Sequence, residues 1–208
     1  MRARARRCGN ATIEFTLVGI PLLCVLISTF EMARGMWLYH TLAYAVKEGV
    51  RYTVVRGQNS PNQVPLVGTG ALPQMPICEY IIQQGPGLIP SQVTLTFHSA
   101  TQPDITVNAG ACIGNGSGNS GATGGNGTCP SVSGSAGSGN WPPGGTFSAP
   151  QVDASGNTIV DNQAGQAISI NACFVFQSSI LMFWPGTQGG MQFPSFTFPA
   201  KASEVMQF

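Results

Sequence analysis

The stretch Arg6-Arg7-Cys8-Gly9-Asn10-Ala11-Thr12-Ile13-Glu14-Phe15-Thr16-Leu17-Val18-Gly19-Ile20-Pro21, with the apolar run on to Phe30, decides how this chain is organised. Four arginines (Arg2, Arg4, Arg6, Arg7) crowd its start, and Leu17 to Phe30 carries no charge. As a helix, Thr12 to Phe30 covers roughly 28 Å at about 1.5 Å per residue, close to one bilayer core. A basic head before such a run inserts with the head in the cytosol. The remainder is then expected on the far side, held by a single pass through membrane lipid.

Glu14 is the one charged residue between Arg7 and Glu31. An ionisable side chain costs about 2.5–3.5 kcal/mol at a bilayer centre on insertion scales, and less near the edge, where Glu14 stands. A carboxylate reaching headgroups or a nearby arginine is one reading of it. The other reading rests on its position. It is the fifth residue after Gly9 and has Ile13 and Phe15 on either side. A secretory signal peptide is the main competing interpretation of this end, but Glu31-Met32-Ala33-Arg34-Gly35 after the run lacks a clear A-x-A cleavage pattern. A lipoprotein signal needs aliphatic residues before its cysteine, whereas Cys8 follows Arg6-Arg7.

Composition narrows the class. Only 8% of the 208 residues are charged, where about a quarter is usual for soluble proteins. That poverty argues against an intracellular enzyme. It also argues against nucleic-acid binding, which needs a basic surface. Four of the six cysteines (Cys78, Cys112, Cys129, Cys173) lie beyond the apolar run. Outside the cytosol they fit two disulfides and do not match zinc-ligand spacing. We expect Cys112–Cys129, closing a glycine-rich loop, and Cys78–Cys173, tying an early helix to a late strand.

The long helix is not expected to stop at the membrane. Tyr39, Leu42, Ala43, Val46 and Val50 recur at helical spacing, and Gly57-Gln58-Asn59-Ser60-Pro61 reads as a stop. Pro21 removes one backbone hydrogen bond and predicts a kink. Residues 58–76 hold four prolines and read as a linker. Ile77 to Gln84 predicts a short helix ended by Gly85-Pro86-Gly87. Val93–His98, Asp104–Val107 and Ala167–Phe176 read as strands, with Phe196–Phe198 and Ala202–Phe208 as two closing strands. Val152 to Val160 suggests a hairpin turning at Ser155-Gly156-Asn157. Between these, Ile105 to Val152 carries no charge, and 13 glycines fall between Gly110 and Gly145. Such an insert (about 110–145) buries too little apolar surface to offset its ordering entropy and reads as a flexible loop. The aromatics Phe174, Phe176, Phe183, Trp184, Phe193, Phe196 and Phe198 read as core. Met182-Phe183-Trp184-Pro185-Gly186 is also readable as an exposed contact surface.

A basic leader, a glycine, four residues, Glu-Phe and a long apolar helix together resemble the prepilin signal of type IV pilins. Glu31 and the later segment Ala45-Val46-Lys47-Glu48-Gly49-Val50-Arg51-Tyr52 narrow this to a resemblance to the TadE-like family. Those are minor-pilin-like proteins of tight-adherence (Flp) pilus assembly. The resemblance spans residues 9–57, and the insert lies outside it. It implies that residues 1–9 are a leader cut between Gly9 and Asn10 by a prepilin peptidase. The freed amine of the next residue then pairs with the Glu14 of a neighbouring subunit. It further implies residency in a bacterial inner membrane with a periplasmic head, in or at the base of a pilus, among other pilins or assembly proteins. The expected fold is α+β: a leader (1–9), a transmembrane and extended N-terminal helix (10–57), and a head (58–208) with a small antiparallel sheet.

No catalytic or metal-binding set emerges, and no cofactor is expected. His40 and His98 read as structural. Gly116-Ser117-Gly118-Asn119-Ser120-Gly121 matches G-x-G-x-x-G, but it follows no strand and opens no helix. Asp153, Ser155, Asn157 and Asp161 lack the closing glutamate of a calcium loop. Two functions remain: a non-enzymatic pilus assembly protein acting by helix packing, or an unprocessed membrane-anchored binding protein recognising a glycan or a protein.

Overall fold

The computed structural model describes residues 10–56, 60, 62–66, 75–99, 104–112, 129, 141, 151–152, 158–159, 165–177 and 196–206. They divide into two compact units: residues 1–37 with 178–193, and residues 38–177 with 194–208. In the first, the described part is helical throughout and belongs to α1, Asn10–Val54. Pro21 lies inside that helix and has no N–H to donate to the Leu17 carbonyl one turn earlier.

The second unit is the head. It contains the rest of α1, the helix α2 (Ile77–Gln83) and one 3-10 turn, Pro90–Gln92. The strands β1 (Val93–His98) and β2 (Ile105–Asn108) follow, then a short helix α3 (Ala109–Cys112). After the small strands β3 (Gln151–Val152) and β4 (Thr158–Ile159) come β5 (Ala167–Phe176) and β6 (Phe196–Val205). Four strands form one antiparallel sheet in the order β2-β1-β5-β6, while β3 and β4 pair separately. The α+β expectation holds, with a long apolar helix ahead of a small antiparallel sheet.

The outer part of α1 buries a stripe at helical spacing: Leu38, Leu42, Ala45, Val46, Val50. It shares one core with the alternate residues Val93, Leu95 and Phe97 of β1 and Ile168, Ile170, Ala172 and Phe174 of β5. Tyr39 meets the Phe198 ring edge-on at 6.0 Å. Each fully buried Leu, Ile or Phe contributes about 1.5–3 kcal/mol. The other face of the sheet is polar. Cross-strand partners share a face, so Thr94 sits beside Cys173 and Asn108, and Thr96 beside Asn171 and Thr106.

Helix α2 docks on α1 at Gly49, which is buried and has no room for a side chain: a Cβ there would collide with Ile81. Tyr52 stacks on Tyr80 at 4.0 Å, and its hydroxyl donates to the Met75 carbonyl at 2.7 Å. Gly87, with φ 86°, turns the chain after α2 as the expected stop requires.

Four expectations are corrected, the last of them the disulfide pairing. Residues 58–76 are not simply a linker: Val64, Leu66 and Met75 are buried. Backbone hydrogen bonds run from Ile77 N–H to the Pro65 carbonyl and from Cys78 N–H to the Leu66 carbonyl. Prolines bar regular structure but not burial. The two closing strands are one, because β6 pairs with β5 from Phe196 to Val205 and Pro199 is accommodated on that strand. Phe196 is exposed rather than core. The expected hairpin is present as the pairing of Val152 with Thr158. Its turn, the Met182–Gly186 loop, Phe183, Trp184, Phe193 and the residues imagined around calcium lie outside the described residues.

The four head cysteines form two bridges, but not the pair expected. They are Cys78–Cys112, with Cα atoms 5.9 Å apart, and Cys129–Cys173, at 5.6 Å. The reason lies in the β1–β2 hairpin, which carries α3 back to α2 and so puts Cys112 against Cys78. Cys173 faces the polar side of β5 and is left for Cys129. Gly49→Val should lower head stability by about 1–3 kcal/mol through overpacking. Adding Ile81→Ala should recover part of that loss in a double-mutant cycle read by denaturant unfolding. Removing the Cys78–Cys112 bridge, which spans a sequence separation of 34, should cost about 3–4 kcal/mol on loop-entropy grounds, measured the same way.

Candidate membrane-assembly site

Glu14 sits in the second turn of α1, which begins at Asn10. It is exposed, as are its neighbours Ile13 and Phe15, the latter at 77%. Asn10 opens the helix, and Gly9 lies outside the described residues. Asn10 and Glu14 are four apart and therefore share one face of the helix.

Past Glu14 the helix presents apolar side chains all round. Leu17, Val18, Ile20, Leu22 and Leu23 occupy successive directions, and each is more than half exposed. A soluble helix shows one apolar stripe; a helix apolar on every side belongs in a core or a membrane. None of the most apolar window is buried within the chain, and the helix is long and apolar enough to cross a membrane.

The hydroxyls in this run are satisfied within the helix. Thr16 Oγ1 donates to the carbonyls of Thr12 (3.1 Å) and Ile13 (3.0 Å). Ser28 Oγ donates to the Cys24 carbonyl and Thr29 Oγ1 to the Val25 carbonyl, both at 2.8 Å. An unsatisfied hydroxyl in hydrocarbon costs several kcal/mol, and the i−4 carbonyl removes that cost. Beyond the run, Glu31 and Arg34 pair at 3.7 Å. Cys24 is a free, exposed cysteine on the helix surface.

Of the residues singled out in the sequence, the structure brings the four head cysteines into bridges. Gly49 is placed in the α1–α2 contact, and Arg51 pairs with Glu48 at 2.9 Å on the exposed side of α1. His98 hydrogen-bonds Asp104 across the β1–β2 turn. Two features escaped the sequence reading. Trp141 is 2% exposed and meets Phe97 edge-on at 5.1 Å. Its signal was available, since it is the one aromatic between Gly110 and Gly145. The buried polar row of Thr94, Thr96, Thr106 and Ser169 had none, because alternation alone reads such positions as solvent-facing.

Val25→Lys should impair membrane insertion by about 2.5–3.5 kcal/mol. Membrane fractionation should show the variant shifted towards the soluble or degraded pool, with Val25→Leu unaffected.

No curated protein and no solved structure matches the chain. Residues 9–51, which contain Glu14, the whole apolar run, Glu31, Gly49 and Arg51, match the family model described as TadE-like protein, so the family resemblance read from the sequence stands on the N-terminal helix.

Proposed function

We propose that this chain is a non-enzymatic pilus assembly protein of the TadE-like type, acting as a minor pilin or pseudopilin in building a tight-adherence pilus. The observation that carries this reading is one helix, matched to the TadE-like family over residues 9–51, that is apolar and exposed on all sides between Leu17 and Phe30. Such a surface suits a helix that leaves lipid for the flanks of other helices. Cys24 and Ser28, four apart, keep the surface low, as close helix approach in membranes requires.

In this reading the leader is removed after Gly9 by a prepilin peptidase. The new amine at Asn10 then neutralises the Glu14 carboxylate of an adjoining subunit, so that a charge tolerated at the membrane edge is paired within it. The protein resides in the bacterial inner membrane with its N-terminus cytoplasmic and its head periplasmic, where the two bridges form. Its partners are other pilins or assembly proteins.

Intact-mass measurement of the protein from its native membrane tests the processing step. A chain starting at Asn10 is expected. An intact Met1, or a cut near residue 35, overturns the reading in favour of an unprocessed anchored binding protein or a secreted one. Replacing Gly9 with a bulky residue should abolish cleavage. Glu14→Ala should leave cleavage unchanged yet reduce pilus assembly, scored as surface fibres; normal fibre numbers would remove Glu14 from the mechanism.

A further inference from the structure

The two bridges of the head differ in their surroundings. Cys78 and Cys112 are both 0% exposed, within the apolar core. Cys129 and Cys173 are both half-buried. Cys173 lies on the polar face of β5, with Thr94 of β1 as its cross-strand neighbour. Thiol–disulfide exchange requires a thiolate to reach a bridge sulfur, so access governs which bridge reacts.

We propose that Cys129–Cys173 is a redox-addressable clasp, opened by a dithiol while Cys78–Cys112 stays closed and the head stays folded. The physical reason is what each bridge guards. Opening Cys78–Cys112 would loosen α2 and α3 from a core that includes Ile77 and Ile81. Opening Cys129–Cys173 frees Cys129 from a face of hydroxyl and amide groups. On that face, Ser169 Oγ and Asn171 Oδ1 are buried without a hydrogen-bond partner. Water admitted there supplies hydrogen bonds these atoms lack, rather than wetting apolar surface. Trp141, buried against Phe97, is a second and non-covalent hold on the same stretch of chain.

The reaction is ordinary exchange. One thiolate of the dithiol attacks a sulfur of the bridge, forming a mixed disulfide and releasing the other cysteine as a thiolate. The second thiol of the reagent then displaces the remaining cysteine. The dithiol leaves as a disulfide, oxidised by two electrons, and the protein gains two thiols.

The full chain in detergent micelles, with Cys8 and Cys24 blocked beforehand by N-ethylmaleimide, tests this with dithiothreitol as probe. Graded reductant is followed by iodoacetamide and peptide mass mapping, with far-ultraviolet circular dichroism on each sample. Cys129 and Cys173 should be alkylated at a reductant concentration about tenfold lower than Cys78 and Cys112. The sheet signal should be unchanged at that first step. A Cys129→Ser/Cys173→Ser variant should keep the same sheet signal and leave Cys78 and Cys112 unlabelled at the lower concentration. Simultaneous labelling of both pairs, prior labelling of Cys78 and Cys112, or loss of the sheet signal with the first bridge overturns the proposal.

Discussion

The head depends on the burial of one stripe of α1 against one face of a four-stranded sheet. Leu38, Leu42, Val46 and Val50 are removed from water in one core that they share with Leu95 and Phe97 of β1 and Ile170 and Phe174 of β5. Neither surface is stable alone: a lone sheet of this size needs a covering layer, and a lone helix gains little from propensity. The stripe also sets the close approach of α2, which is why position 49 has to be glycine-sized. Tyr52, stacked on Tyr80 and hydrogen-bonded to the Met75 carbonyl, fixes the same corner from the next turn.

The same helix obeys a different rule nearer its start. There the side chains are apolar in every direction, and the few hydroxyls turn back to carbonyls one turn earlier. Packing against the chain's own sheet and exposure of a wholly apolar surface are two solutions to one problem, the removal of apolar groups from water. The second needs something other than this chain. Lipid meets the need before assembly, and neighbouring helices meet it afterwards in the function proposed above.

The bridges divide by the same logic. Cys78–Cys112 sits where water is absent and pins α2 and α3 to the core, whereas Cys129–Cys173 sits on the polar side of the sheet. That polar side is largely buried, with Thr96 and Thr106 sharing a hydrogen bond at 3.1 Å. A buried polar row of this kind is costly when unsatisfied, and Ser169 and Asn171 each leave an atom without a partner.

The extent of the long helix, α2, β1 and β5 was legible in the sequence, because each rests on local information. Periodicity near 3.6 marks Leu38 to Val50, alternation marks Val93 to His98, and Gly85-Pro86-Gly87 marks a stop. The membrane-length run and the position of Glu14 behind Gly9 were equally local, and the family match over residues 9–51 falls on that segment. Only the tertiary structure decided which cysteines meet, that Val64 and Leu66 are packed in, that one strand runs through Pro199, and that Trp141 is buried. These outcomes turn on which segments lie side by side, and four cysteines spaced along a chain carry no record of that. Pairing is set by the antiparallel order β2-β1-β5-β6, which brings Cys112 back to Cys78 and leaves Cys173 on the opposite face for Cys129.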